Sequence, residues 1–306
     1  MVLLYYTWMC SNFKLSCFSI SVDEWSMILD QSKEFKFTDK DFKFIKNLVS
    51  AKTGIVLSDA KRSMVYSRLA RRLRALSIES FSNYCDFLKT ENEDELINFV
   101  NAITTNLTSF FREKHHFDYI AKTLIPHWLK TRNNERRIRI WSAGCSTGEE
   151  PYSIAITLQE HFPNIDDWDV KILATDLDTN VVATAKSGIY SEERIEGLPK
   201  SMVRDWFKKG SDSFAGKVKV SPILQEMITY NQLNLLQEWP FKGGFDLIFC
   251  RNVVIYFNKD TQRVLADRYA DMLKNDGTLF LGHSETLFKV SDRFSLVGNT
   301  VYNKDR

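Results

Sequence analysis

Between residues 137 and 176 the chain runs through a strand pattern, a glycine turn, a helix pattern and a second strand, an order that fits an open α/β sheet and little else. Arg137-Ile-Arg-Ile140 leads through Trp141 into Ser142-Ala-Gly-Cys-Ser-Thr-Gly148. Glu149, Glu150 and Pro151 then open a helix, since acids and proline favour a first turn. Ile172-Leu-Ala-Thr-Asp176 reads as the next strand and ends on a carboxylate. In that order the elements build a nucleoside site, with Asp176 facing a ribose.

The loop differs from a phosphate cradle, which leaves helix N–H groups free for an anion and carries Gly-x-Gly-x-x-Gly or a terminal Lys-Ser/Thr. Two acids in the first turn repel phosphate. They suit a ligand with a positive centre, such as the sulfonium and ammonium of S-adenosylmethionine, although ordinary capping by Glu149 and Glu150 explains them equally well.

At 306 residues, with 44% hydrophobic and 26% charged residues, the chain has the composition of a soluble globular protein of about two domains. Its net charge of +2 decides nothing about partners. Cys10, Cys17, Cys85, Cys145 and Cys250 contain no Cys-x-x-Cys pair, which argues against a disulfide framework or structural zinc and favours a reducing cytoplasm. Residues 1 to 20 are apolar but broken by Asn12 and Lys14, with no basic lead and no cleavage site, so neither a signal peptide nor a membrane span is expected. A start at Met27, with residues 1 to 26 absent or disordered, stays open.

Helical periodicity over 38 to 105 predicts a small all-α domain, set here at 27 to 105, with Asp59 and Ser80 as N-caps of its second and third helices. The second helix carries Lys61, Arg62, Arg68, Arg71, Arg72 and Arg74 and no acid between Ala60 and Ile78. At about 100° per residue, Val65, Leu69, Leu73 and Leu76 form one stripe and all the cations but Arg62 lie opposite it. This is either a docking face for an acidic partner or a solvated surface.

After a linker at 106 to 135, strands are predicted at 137 to 142, 170 to 175, 227 to 233, 245 to 250 and 278 to 283, with helices near 150 to 161, 178 to 186 and 259 to 274. The order implies a doubly wound, largely parallel sheet over 136 to 306, closed by a hairpin turning at Gly298-Asn299. Residues 187 to 226 break the rhythm and read as a small β-containing insertion around Lys217-Val-Lys-Val220. Asn234 and Leu235, Arg251-Asn252-Val253 and His283-Ser284-Glu285 follow strands at the edge where such sheets bind ligands, though a lone Asn often satisfies only its own loop. His115 and His116 are adjacent and the other histidines scattered, so no metal is expected. Cys250, ending an apolar strand, reads as core rather than nucleophile.

Four segments in order, Asn106-Leu-Thr-Ser-Phe-Phe-Arg-Glu113, Ser142 to Ser153, Ala174-Thr-Asp-Leu-Asp178 and Phe249-Cys-Arg-Asn-Val-Val-Ile-Tyr-Phe257, together resemble the CheR chemotaxis receptor methyltransferases. The resemblance covers about residue 27 to the end. It implies a Rossmann-like class I methyltransferase that uses S-adenosylmethionine, yielding S-adenosylhomocysteine, to esterify glutamates on the cytoplasmic helices of bacterial chemoreceptors. It implies cofactor contacts from Asn106, Thr108, Arg112, Glu149, Asp176, Asn234, Leu235, Asn252 and Val253, with Arg112 also positioning the reactants. Arg68, Arg71, Arg72 and Arg74 would face the receptor bundle. The insertion would match a β-subdomain that in some members tethers a receptor's C-terminal peptide. A cytoplasmic monomer without nucleic-acid partner or membrane insertion is expected. Two other readings are a nucleic-acid methyltransferase, weakened by the modest charge and the lack of an Asn-Pro-Pro-Tyr-like segment, and a silent adaptor that senses the cofactor.

Overall fold

A computed structural model of the chain describes residues 34–305. The expectations for residues 1 to 26 therefore lie outside the described residues. Among the described residues, four helices form the first unit: α1 (Asp39–Thr53), α2 (Arg62–Leu76), α3 (Phe81–Leu88) and α4 (Glu93–Ile103). Thr38 starts α1 with a capping box, its side chain accepting from the Asp41 N–H while Asp41 accepts from the Thr38 N–H. Ser80 caps α3 by accepting from the Asn83 N–H at 3.1 Å. Asp59 does not cap α2: it lies in a 3₁₀ turn (Asp59–Lys61) ahead of the helix, and its carboxylate takes Lys46 Nζ at 2.7 Å. Val65, Leu69 and Leu73 of α2 are fully buried with Ile45, Phe81, Tyr84 and Phe99. Burial of such side chains contributes roughly 1.5–3 kcal/mol each, which holds short helices that would not stand alone.

The linker folds as α5 (His115–Tyr119), one π turn and α6 (Ile125–Thr131), and packs Phe117, Ile120, Leu124 and Trp128 into the main core. A seven-stranded sheet follows in the order β6 (Ile228–Gln232), β2 (Asp169–Asp176), β1 (Arg137–Ala143), β7 (Phe245–Cys250), β8 (Leu273–Leu281), β10 (Val301–Lys304) and β9 (Phe294–Gly298). The first five are parallel, and β10 and β9 add an antiparallel end. β7 is buried at all six positions, as expected at the sheet centre; its one polar residue, Asp246, is paired with Arg132 and Lys274, each at 2.9 Å. β8 begins five residues before its expected start and stops before Gly282, and the terminal hairpin turns at Asn299-Thr300, one residue later than expected. The helices α7 (Glu149–His161), α8 (Thr179–Ser187) and, late in the chain, Lys259–Met272 cover the sheet.

Strand order reverses at β1, from which the chain winds out to β2 and β6 on one side and returns to β7 and β8 on the other. A crevice at the carboxyl ends of β1 and β7 follows from that reversal. Residues 189–220 form a separate antiparallel sheet, β3 (Ile189–Ser191), β5 (Lys217–Val220) and β4 (Phe207–Lys209), of which only the central run was legible in advance. The helical unit docks on the crevice edge: Val56 N–H donates to the Tyr256 carbonyl at 2.9 Å, and Asn234 Nδ2 to the Lys52 carbonyl at 2.8 Å. Among the described residues no helix is long and apolar enough to cross a membrane.

Candidate cofactor cleft

The crevice becomes a cleft roofed by the helical unit and walled by the linker. Its floor depends on two glycines. Gly144 (φ +99°) lets its own N–H and that of Cys145 donate to the Thr175 carbonyl at 2.8 and 2.9 Å, and a Cβ there would lie 2.4 Å from Val253 Cγ2. Gly148 (φ +98°) starts α7, and a Cβ there would lie 2.7 Å from Ala185 Cβ. Both positions demand the conformational freedom and close approach that only glycine offers.

Asp176 ends β2 on the cleft wall, accepting the Ser146 N–H at 2.8 Å and the Asp178 N–H at 3.0 Å. Burial raises its pKa to about 6, against the lowering effect of those two donors. Asp178 is buried and gathers four donors: Thr104 Oγ1 at 2.7 Å, Asn106 Nδ2 at 2.8 Å, and the Asn180 and Val181 N–H groups that open α8. Asn106 is thereby fixed from below, and its carbonyl accepts from Ser146 Oγ at 3.1 Å.

Of the nine residues expected to touch the ligand, the structure brings Asn106, Thr108, Arg112, Asp176, Asn234, Leu235, Asn252 and Val253 to the cleft lining. Glu149 departs from the expectation. It is fully buried, and its carboxylate is taken by Arg194 from the small β unit and by Thr147 Oγ1 at 2.6 Å. Glu150 lines the cleft instead, accepting from Ser142 Oγ and from Arg251 Nε, each at 2.7 Å. Neighbours on a helix point about 100° apart, so one of two adjacent acids had to face elsewhere; which one depends on Arg194 and Arg251, both distant in sequence.

Arg251 and Glu285 follow strand ends in the sequence, yet nothing in the sequence alone assigns either a role. Arg251 is buried and joins Glu150, the Arg112 carbonyl (2.7 Å) and His116 Nδ1 (3.1 Å). Glu285, also buried, accepts from the N–H groups of Gly282 (2.6 Å), Asn252 (2.8 Å) and Ile255 (3.2 Å), which fixes the loop presenting Asn252 and Val253. Burial holds its pKa above the usual value despite these donors. A Glu shortly past a strand end gives no signal in sequence that it will fold back on the neighbouring strand's loop.

His115 and His116 do come together: with Glu113 they place one ligand-capable atom each within 4.8 Å. Those atoms are engaged, both histidine Nε2 atoms on the Asn299 carbonyl, and Glu113 on His283 Nδ1 at 2.8 Å. Burial, with the Arg251 charge, lowers the His116 pKa to about 3, so it is neutral and accepts from Arg251. Cys250 lies in the core with its thiol pKa pushed well up by burial.

The basic helix is only partly free. Arg68 Nη1 donates to the carbonyls of Ile103 and Thr104 at 2.7 and 2.6 Å, closing the end of α4. Arg72 pairs with buried Glu95, which also accepts from Tyr84 Oη. Arg74 pairs with Glu34 at the exposed surface, whereas Arg71 is exposed. Arg62, the exception to the charged arc, packs over Phe37 and Phe42. Among the described residues, the arc thus mixes cations held by structural partners with exposed ones.

The cleft lining combines the cations Lys61, Arg112 and Arg251 with the carboxylates Asp176 and Glu150 and the apolar side chains of Leu235 and Val253; Arg251 is paired with Glu150, and Arg112 Nη1 donates to the Leu107 carbonyl at 2.8 Å. A guanidinium suits a ligand carboxylate, and Asp176 suits a pair of hydroxyls. The model of the CheR methyltransferase SAM binding domain matches residues 106–303, and that of the CheR methyltransferase all-alpha domain matches 40–104. Chemotaxis protein methyltransferase 2 of Pseudomonas aeruginosa is 44% identical over 89% of this chain and 95% of its own length. The chemotaxis protein methyltransferases of Escherichia coli and Salmonella typhimurium are 40% and 41% identical, over 93% and 94% of this chain and 97% and 99% of theirs. With its helical unit, its cleft and its carboxyl-terminal hairpin all inside those matches, the chain belongs to the CheR methyltransferase family.

Proposed function

We propose that the protein transfers the methyl group of S-adenosylmethionine to glutamate side chains of bacterial chemoreceptors, leaving methyl esters. The observation that carries the reading is the convergence of Arg112 and Asp176 on one cleft lining, in a chain about 40% identical to chemotaxis methyltransferases over nearly its whole length. Asp176 would take the ribose hydroxyls, Arg112 the methionine carboxylate, and Asn106, Thr108, Asn234 and Asn252 the remaining polar edges. When bound, the cofactor supplies an electrophilic methyl on sulfur. The acceptor glutamate, with a reference pKa of about 4.3, is already ionised at neutral pH, so no side chain need remove a proton. What remains is positioning: Arg112 aligns the reactants while Leu235 and Val253 exclude water, which favours a step in which charge is neutralised.

The acceptor would enter past Lys61 at the cleft mouth, with the exposed Arg71 and Arg74 contributing the long-range attraction to an acidic helix bundle. The open edges of β3 and β4 suit a receptor's C-terminal peptide added as a strand. On this reading the protein acts in the cytoplasm, as a monomer. Engagement of Arg68 and Arg72 within the helical unit leaves little for tracking phosphates, which disfavours a nucleic-acid substrate. The test is transfer from methyl-labelled cofactor to membranes bearing chemoreceptors. Label on receptor that mild base releases as methanol is expected; base-stable label, or none on receptor, overturns the proposal.

The pKa of Asp176 adds a pH signature. The free carboxyl titrates near 6, and ribose hydroxyls bind its ionised form. Binding therefore lowers that pKa and releases a proton near pH 6. Affinity for S-adenosylhomocysteine should be flat above pH 7 and fall as pH drops through 6, by up to about tenfold per unit. Titration calorimetry from pH 5 to 8 reads this directly, and a flat profile contradicts it.

A further inference from the structure

Arg112 reaches the cleft from a turn in an unfavourable backbone shape. Its neighbours Phe111 and Glu113 have φ of 53° and 58°, in the left-handed region that side-chain-bearing residues rarely adopt. Such a turn persists where its surroundings over-determine it. On one side the Phe111 N–H donates to Ser153 Oγ at 2.9 Å, and Ser153 in turn donates to the Glu149 carbonyl at 2.6 Å. On the other side Arg251 Nη1 donates to the Arg112 carbonyl at 2.7 Å.

Arg251 is well suited to this task. Its side chain is 2% exposed, its Nε is held by Glu150 at 2.7 Å, and Phe117 and Phe249 each lie 5.4 Å from the guanidinium. His116 accepts from the same Nη1 and ties the assembly to the Asn299 carbonyl of the terminal hairpin. A lysine could keep the charge opposite Glu150, but its single nitrogen could not also span to the Arg112 carbonyl.

We infer that Arg251 and Ser153 are positioning residues for Arg112, clamping from two sides the strained turn that carries it to the cleft lining, where its Nη1 donates to the Leu107 carbonyl at 2.8 Å. The inference rests on the proposed role of Arg112 toward a cofactor carboxylate. Ser153 lies outside the cleft lining and acts through the turn alone, whereas Arg251 also reaches the lining, so its share through Arg112 is what the cycle isolates.

The experiment is a pair of double-mutant cycles on S-adenosylhomocysteine affinity, measured by calorimetry, with hydrogen exchange of residues 109–113 as a second readout. Arg112→Ala alone should weaken binding about 100-fold, and Arg251→Lys or Ser153→Ala alone about tenfold, the size of effect expected for a displaced contact. Adding either change to Arg112→Ala should cost less than about threefold more, because the route through the guanidinium is already gone. Exchange at 109–113 should speed up in both single variants. Additive losses, or single variants with unchanged affinity and protection, would overturn the inference. Should Arg251→Lys fail to fold, the Ser153→Ala cycle decides the matter by the same two readouts. Wild-type affinity in Arg112→Ala would instead remove the site reading itself, and with it the clamp.

Discussion

Asp176→Ala is expected to abolish measurable S-adenosylhomocysteine binding while leaving a folded protein. An ionised acceptor contributes about 1.5–3 kcal/mol to each hydrogen bond it receives. Two ribose hydroxyls therefore place about 3–6 kcal/mol on this one side chain, equivalent to roughly 10²–10⁴ in affinity. The free protein should feel the change far less. Its carboxyl is held above its ordinary pKa because burial outweighs the bonds from Ser146 and Asp178, so at neutral pH the ionised form is already unfavourable. Since a raised folded pKa contributes stability only at low pH and loses it as pH rises through about 6, removing the group at pH 7.5 takes little away. The loss of an acceptor for two N–H groups and the relief of desolvation then roughly cancel. Calorimetry at pH 7.5 alongside thermal melts separates the two effects. Binding within threefold of wild type would show that the ribose lies elsewhere.

The sheet was legible because its strands carry their own signal. β-branched and aromatic runs mark β1, β2 and β7, with glycines beside β1 and β7, and the helices between them fix a parallel order. The cleft followed from topology, since residues just past parallel strands converge at the reversal, and that is how Asn234, Leu235, Asn252 and Val253 came to one lining. What could not be read were side-chain commitments made across long separations. Arg68 and Arg72 share the charged arc with Arg71, yet two are consumed by the carbonyl end of α4 and by Glu95, which no periodicity of α2 can announce. Glu149 and Glu150 are equivalent in sequence until Arg194 and Arg251 select between them. The short strands β3 and β4, three residues each, fall below the length at which alternation can be recognised.

Asp178 shows what such a commitment is worth, because its partners Thr104 and Asn106 lie 74 and 72 residues away across the junction between the helical unit and the sheet. Asp178→Ala is expected to destabilise the protein by about 3 kcal/mol. Loss of the α8 cap accounts for about 1 kcal/mol. The bonds from Thr104 and Asn106 to a buried carboxylate account for the remainder once the relief of its desolvation is set against them. For a protein of this size that corresponds to a fall in Tm of about 5 °C. Asn101 still reaches Thr179 at 2.8 Å, and Val56 and Asn234 still hold the opposite side of the junction, so the helical unit should stay attached but sit loosely over the cleft. Freed from below, Asn106 would no longer be aimed at the ligand, and affinity for S-adenosylhomocysteine should fall about tenfold. Asp178→Asn separates the two consequences. Its remaining oxygen can still cap α8, but its amide would face the donors of Thr104 and Asn106, so the cofactor effect should persist while only the cap's share of about 1 kcal/mol returns. Full recovery of stability in Asp178→Asn would mean that the cap, and not the junction, is what Asp178 supports.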